Sequence, residues 1–165
     1  MVDGATADAL YREARLHCQQ GQIAEGIDLV RRALALDARQ ARFHTLLGMA
    51  LSNIGCHAEA LDSFDQALAL GAADAHGSRA DALVALGRLV DAVESFDRAL
   101  AHDPSSAVDW CNRGATLIDL GRTSEAVESF ARATALAPDF AEAHYNHGNA
   151  LAKLERLDYL AGKVA

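Results

Sequence analysis

Proline is almost missing from this 165-residue chain: only Pro104 and Pro138 occur. Helices can therefore run without the lost donor and ring clash that proline brings. Aromatic residues are scarce too, at 5%, and Ala and Leu supply most of the apolar bulk. With few β-branched runs, that composition favours helix over strand. Cys18, Cys56 and Cys111 form an odd set without a CxxC pair. This excludes a disulfide framework and a zinc ribbon, and leaves small thiols suited to a reducing compartment. No apolar run reaches the length of a membrane span. The opening stretch, MVDGATADALYREAR, lacks a basic segment followed by an apolar core, so no signal peptide is read. These absences point to a cytoplasmic protein. Basic charge is also short: 15 Lys and Arg face 23 Asp and Glu, a net charge of −8. That argues against nucleic acid as a partner. The carboxylates are spread along exposed helix faces, where they keep the chain soluble.

What is present is a repeat. Gly21, Gly55, Gly87 and Gly121 recur at spacings of 34, 32 and 34 residues. Each stands between two apolar helical stretches, where a left-handed helix end favours glycine. Other columns keep the same phase. Small residues recur at Gly26, Ala60, Ala92 and Ala126, and again at Ala33, Ala67, Ala99 and Ala133. Between them stand Val30, Phe64, Phe96 and Phe130. Earlier in each unit lie Ala14, Gly48, Ala80, Gly114 and Gly148, with Leu51, Leu83, Leu117 and Leu151 three residues after the last four. Small and large positions at helical spacing let two helices approach closely. Pro104 and Pro138 share a closing column with Ala38 and Ala72. Ser106 with Asp109, and Asp139 with Glu142, have the form of capping boxes.

The repeats are read as 7–40, 41–72, 73–106, 107–140 and a partial 141–165, behind a flexible N-terminus at 1–6. The second is two residues short around 70–75, a cheap loop deletion. Helices of a dozen residues are marginal alone, and stacking on neighbours supplies their stability. In the last repeat Glu155 replaces the turn glycine, while Leu157, Leu160 and Val164 keep the apolar spacing expected of a second helix. The expected closing turn is missing. Three explanations compete: a fragment of a longer protein, self-association over an uncapped end, or a short helix that caps by itself. A fragment or truncation with some tendency to associate is favoured.

The chain resembles a tetratricopeptide repeat (TPR) array. The resemblance rests on Trp110, Gly114, Leu117, Gly121, Ala126, Phe130, Ala133 and Pro138 at the family's spacing, and it covers nearly everything from Ala7 onward. It implies an all-α fold, a right-handed superhelical solenoid of antiparallel helix pairs with about four full repeats and one partial. It also implies that the first helix of each pair lines a concave groove that holds a peptide or partner domain. On that reading Gly21, Gly55, Gly87, Gly121, Phe64, Phe96, Phe130, Trp110, Pro104 and Pro138 are structural.

Catalytic signatures are lacking: there is no GxSxG, no phosphate-binding glycine loop and no HExxH. No catalytic residue, cofactor or metal is expected. Most histidines fall in columns filled elsewhere by Leu, Ile or Trp, and are read as packing positions. His44, His76 and His144 share the column of Leu10 and Trp110. His144 and His147 share a helical face near Glu142 but lack a third positioned ligand.

The groove candidates are Arg12, Arg15, Arg42, Asn53, Asn112, Tyr145, Asn146 and Asn149. Val108, Cys111 and residues such as Met49, Ser78 and Asp119 share the same helix faces. Asn112 and Asn146 occupy one column, in WCNRG and HYNHG. Aligned amides can bond a peptide backbone whatever its sequence. The pair resembles the start of the asparagine ladder of O-GlcNAc-transferase and SPINDLY-type TPR regions, although earlier repeats have Arg12, Leu46 and Ser78 there. Arg12, Arg15 and Arg42 could hold an acidic group or terminal carboxylate. The leading reading is a non-catalytic scaffold binding a peptide or partner domain. The alternatives are the substrate-presenting part of a larger glycosyltransferase and a self-assembling structural module.

Overall fold

The computed structural model describes residues 2–162. Among them the chain is helical, with nine α-helices and no strand. They are α1 (Val2–Gln19), α2 (Ile23–Leu36), α3 (Ala41–Asn53), α4 (His57–Ala69), α5 (Ala75–Ala85), α6 (Leu89–His102), α7 (Ala107–Asp119), α8 (Thr123–Leu136) and α9 (Ala141–Leu160). They form two compact units, Met1–Leu86 and Gly87–Ala165. In the first, α1 packs on α2, α3 on α4, and α2 and α4 each pack on the following helix. In the second, α7 packs on both α6 and α8, and α8 on α9.

Turn chemistry explains the pairing. Gly21, Gly55, Gly87 and Gly121 have φ of +80°, +79°, +72° and +73°. A side chain there would be strained, so glycine ends each first helix at low cost. The residue after the glycine donates back across the turn: Gln22 N–H to His17 O, Cys56 N–H to Leu51 O and Arg122 N–H to Leu117 O, each at 2.9 Å. The shortened second repeat closes differently from the others. Gly71 adopts φ +93°, and Ala72 N–H donates to Ala67 O at 3.0 Å. A second left-handed turn thus replaces the extended closing turn used elsewhere.

That extended turn occurs at Asp37, Asp103 and Ala137, each donating its N–H to the carbonyl four residues back. The Asp37 carboxylate accepts from Gln40 Nε2 at 2.8 Å and Arg39 N–H at 3.0 Å. Asp103 accepts from Ser105 Oγ at 2.6 Å and Ser105 N–H at 3.0 Å. These bonds, from Gln40 first at Asp37 and from the Ser105 hydroxyl first at Asp103, hold both carboxyls below the usual aspartate range. A lowered folded pKa gives stability that is present above the unfolded value of about 3.9. That stability is lost as pH falls through the folded pKa. Carboxyl-carbon NMR titration is therefore expected to place both groups below an unfolded-chain aspartate. Equal midpoints would contradict the hydrogen bonding.

Helix α1 starts at Val2 and takes in residues 4–6; Ala5, Ala7 and Ala9 favour helix there. Two expectations change. Ser106 does cap α7, accepting from Asp109 N–H at 3.2 Å, but Asp139 caps nothing. Phe140 is the residue ahead of α9, one place too late for the Asp139 carboxylate to serve. Finally, α9 is one continuous helix of 20 residues rather than a pair. Glu155 is a good helix former and a poor left-handed residue, so it continues the helix where glycine would break it. The left-handed residue comes later, at Gly162, φ +68°. Val164 lies outside the described residues.

The cores follow the column pattern. Phe64 and Phe130 are buried, each ring lying against the small residue of its repeat's first helix. A Cβ at Gly48 would come within 2.6 Å of Phe64, and one at Gly114 within 2.7 Å of Phe130. The first repeat balances this differently, with Ala14 and the smaller Val30 in one cluster. Polar contacts also repeat. Arg79 pairs with Asp65 at 2.6 Å and Arg113 with Asp97 at 2.7 Å, each bridging a second helix to the next first helix.

The histidine and tryptophan column does more than pack. Trp110 Nε1–H donates to Pro104 O at 3.0 Å. His44 Nε2 lies 2.9 Å from Ala38 O, and His144 Nε2 2.9 Å from Pro138 O. A carbonyl only accepts, so each imidazole carries its proton on Nε2. Three rings thus clasp the closing turn of the preceding repeat. Removing the indole donor in Trp110→Phe is expected to cost about 1 kcal/mol in urea unfolding. No change would show that the clasp is incidental.

Candidate functional site

First helices line the cavities because their partners cover only one side. One of about 650 Å³ lies in the first unit, between α1 and α3. Arg15, Cys18 and Gln19 enter from α1; Arg42, Thr45, Leu46, Met49 and Asn53 enter from α3; Asp74 borders it. The volume suits a ligand-sized segment. Met49 is 53% exposed, an apolar side chain presented to solvent.

Arg42 is held in place at this site. It pairs with Asp8 at 2.5 Å, and its guanidinium lies 5.3 Å from the Tyr11 ring centre. Tyr11 in turn stacks on buried Phe43 at 5.0 Å. Arg15 makes no ion pair among the described residues, so its charge is available. Burial pushes the Cys18 thiol up, which keeps it protonated and a weak nucleophile.

Two smaller cavities repeat one design. In the first unit Met49, Ser52, Asn53, Ser78 and Asp81 surround the Phe64 ring. In the second, Ala115, Ile118, Asp119, Asn146 and Asn149 surround Phe130, joined by Ala150 and Lys153. These are the same repeat columns, so the stacking of successive first helices builds the same niche twice. Their volumes are about 320 and 260 Å³. The chemistry differs because the surface columns differ: two serines, an amide and a carboxylate in one, two amides, a carboxylate and a lysine in the other.

The candidate residues therefore separate. Arg15, Arg42 and Asn53 meet in the large cavity, and Asn146 and Asn149 in the second unit's niche. Arg12 is exposed outside that cavity, and Tyr145, 70% exposed, stands outside the niches. Asn112 is half-buried and does not line the niche that holds Asn146. Cys111 is buried, not groove-facing. Burial raises its thiol pKa, opposed by a hydrogen bond from the Asn146 side chain. Cys18, Leu46, Ala115, Ile118 and the two phenylalanine floors were not singled out for the groove from sequence. The signal for them was available, since they sit in columns adjoining those that were chosen.

No group of three His, Cys, Asp or Glu side chains suited to a metal occurs among the described residues. None of the described helices is long and apolar enough to cross a membrane.

Comparison with known proteins agrees with the architecture. A tetratricopeptide repeat model matches residues 11–75 and 55–107, and a TPR repeat model matches 114–155. No sequence relative is found among curated proteins. The fold is similar to MamA from Desulfovibrio magneticus RS-1, with TM-score 0.86, 17% identity, and coverage of 97% of this chain and 92% of that one. It is similar to YrrB, a TPR protein with an unusual peptide-binding site, with TM-score 0.78, 26% identity, and coverage of 88% and 76%. It is also similar to the first TPR of Spaghetti (RPAP3) bound to the HSP90 peptide SRMEEVD, with TM-score 0.69, 22% identity, and coverage of 72% and 98%. The repeat phase, the glycine turns, the phenylalanine notches and the matching models lead to one conclusion: this chain belongs to the tetratricopeptide repeat family.

Proposed function

We propose that this protein is a non-catalytic interaction module that binds a short extended peptide in the α1–α3 cavity. The observation that carries the reading is the pairing of unneutralised Arg15 with exposed Met49 in one ligand-sized cavity. Arg42 is already paired with Asp8, so Arg15 is the cation in that lining left to meet an acidic group. The ligand this suits is an acidic peptide with an apolar side chain: the carboxylate on Arg15, the apolar group on Met49. Gln19 and Asn53 offer donors and acceptors to its backbone. YrrB and the RPAP3 domain, by their descriptions, also bind peptides. The cysteine usage fits a cytoplasmic setting.

A substrate-presenting role in an O-GlcNAc-transferase-like enzyme has only the asparagine column for support. Of that column, Asn146 lines a niche and Asn112 does not.

Calorimetric titration with acidic and basic peptides of matched length tests the proposal. The acidic set is expected to bind, and Arg15→Glu to weaken it at least tenfold, about 1.4 kcal/mol, with unchanged circular dichroism. Equal affinity for basic peptides, or indifference to Arg15→Glu, would overturn it.

A further inference from the structure

We propose that the niche over Phe64, between α3 and α5, is a second subsite for the same peptide and takes a basic side chain, a proposal that rests on the α1–α3 cavity being a peptide site. Met49 and Asn53 line both spaces. They form a shared wall, so a chain that leaves the cavity across α3 enters the niche. Both spaces lie within the first unit. Their outer walls differ in sign. On the α1 side Arg15 is the cation left to meet an acidic group. On the α5 side the niche is lined by Ser52, Ser78 and Asp81 with Met49, Asn53 and Phe64, and Asp81 is the charged residue among them. Asp74, just ahead of α5, borders the cavity from that same side. The groove therefore runs from a basic wall at α1 to an acidic one at α5.

Ser52 supplies an independent sign of a ligand. Its Oγ is buried and has no hydrogen-bond partner among the described residues. A helical serine commonly returns its hydroxyl to the carbonyl four residues back, as Ser63 and Ser129 do at 2.9 and 3.0 Å. Ser52 does not, so its oxygen is left to accept from a donor that enters the niche. A lysine ammonium offers three donors, enough for the Asp81 carboxylate and the Ser52 hydroxyl. Its methylene stem would cover Met49 and the Phe64 ring. A second acidic residue would instead face Asp81. Geometry also sets the spacing. Packed helices lie about 8–10 Å apart, and an extended chain covers about 3.3 Å per residue. One step from the cavity to the niche is therefore about three residues, and the ligand carries its acidic and basic residues three apart.

The test is calorimetric titration of the full chain with matched peptides that carry Glu-x-x-Lys, Lys-x-x-Glu or Glu-x-x-Gln, one x being leucine. The better of the two lysine peptides is expected to bind about fivefold tighter than the glutamine peptide, the upper range of a solvent-edge ion pair. Asp81→Asn, at an exposed position, should remove that preference with circular dichroism unchanged. Equal affinity for the lysine and glutamine peptides, both still weakened by Arg15→Glu, would overturn the second subsite and leave the first standing. A lysine preference indifferent to Asp81→Asn would also overturn it. Absence of saturable binding by all three peptides would overturn both.

Discussion

Phe130→Ala lowers the stability of this protein by about 3–5 kcal/mol, the range for emptying a buried aromatic site. The ring is 1% exposed, sits in the notch of Gly114, and lies between Ala126 and Ala133, both fully buried. No neighbour can refill the space, because the surrounding positions are small and fixed on rigid helices. Trp110 is the sole tryptophan and lies in the same unit, so its fluorescence in urea reports the loss. Tyr145→Ala, at a 70% exposed position, should change stability by less than about 0.5 kcal/mol. A loss under about 1 kcal/mol at Phe130 would mean the column does not hold the repeat together.

One substitution made at two equivalent glycines should have opposite signs. Gly148→Ala is expected to stabilise by up to about 1 kcal/mol, since alanine favours helix and its Cβ meets nothing. Gly114→Ala gains the same propensity but drives its Cβ to within 2.7 Å of the enclosed Phe130 ring. Overpacking of that kind costs about 1–3 kcal/mol, so the net effect is destabilising. The first repeat shows the remedy, because Ala14 is matched there with Val30. Adding Phe130→Val to Gly114→Ala should therefore cost less than the two single losses combined. A double-mutant cycle in denaturant measures the coupling. Strict additivity would show that the glycine and phenylalanine do not share one contact.

The turn glycines and the small and large columns were legible because backbone strain and close packing restrict residue choice there. The family followed from the same columns repeated in phase. Gly71 escaped notice because the two-residue deletion moved it out of phase, although its left-handed φ makes it equivalent to the others. Glu155 kept the helix running because local propensity, not repeat phase, decides whether a turn forms. The clasp at His44, Trp110 and His144 was hidden because an amphipathic ring reads as packing until its nitrogen finds a carbonyl. Site residues were harder still. Surface columns vary freely, and which of them enclose a cavity depends on how neighbouring helices splay. That is why Arg15 and Arg42 converge on one cavity while Arg12, on the same helix as Arg15, points elsewhere.

The most direct test of the binding site uses methionine. The chain has only Met1 and Met49, and Met49 lines the α1–α3 cavity. Protein labelled with ¹³C at the methionine methyls gives two resonances, one of them inside the proposed site. Titration with an acidic, apolar-containing peptide is predicted to shift the Met49 methyl in a saturable way, with a basic peptide of the same length leaving it in place. A Met49 resonance that stays fixed at millimolar acidic peptide would contradict the account.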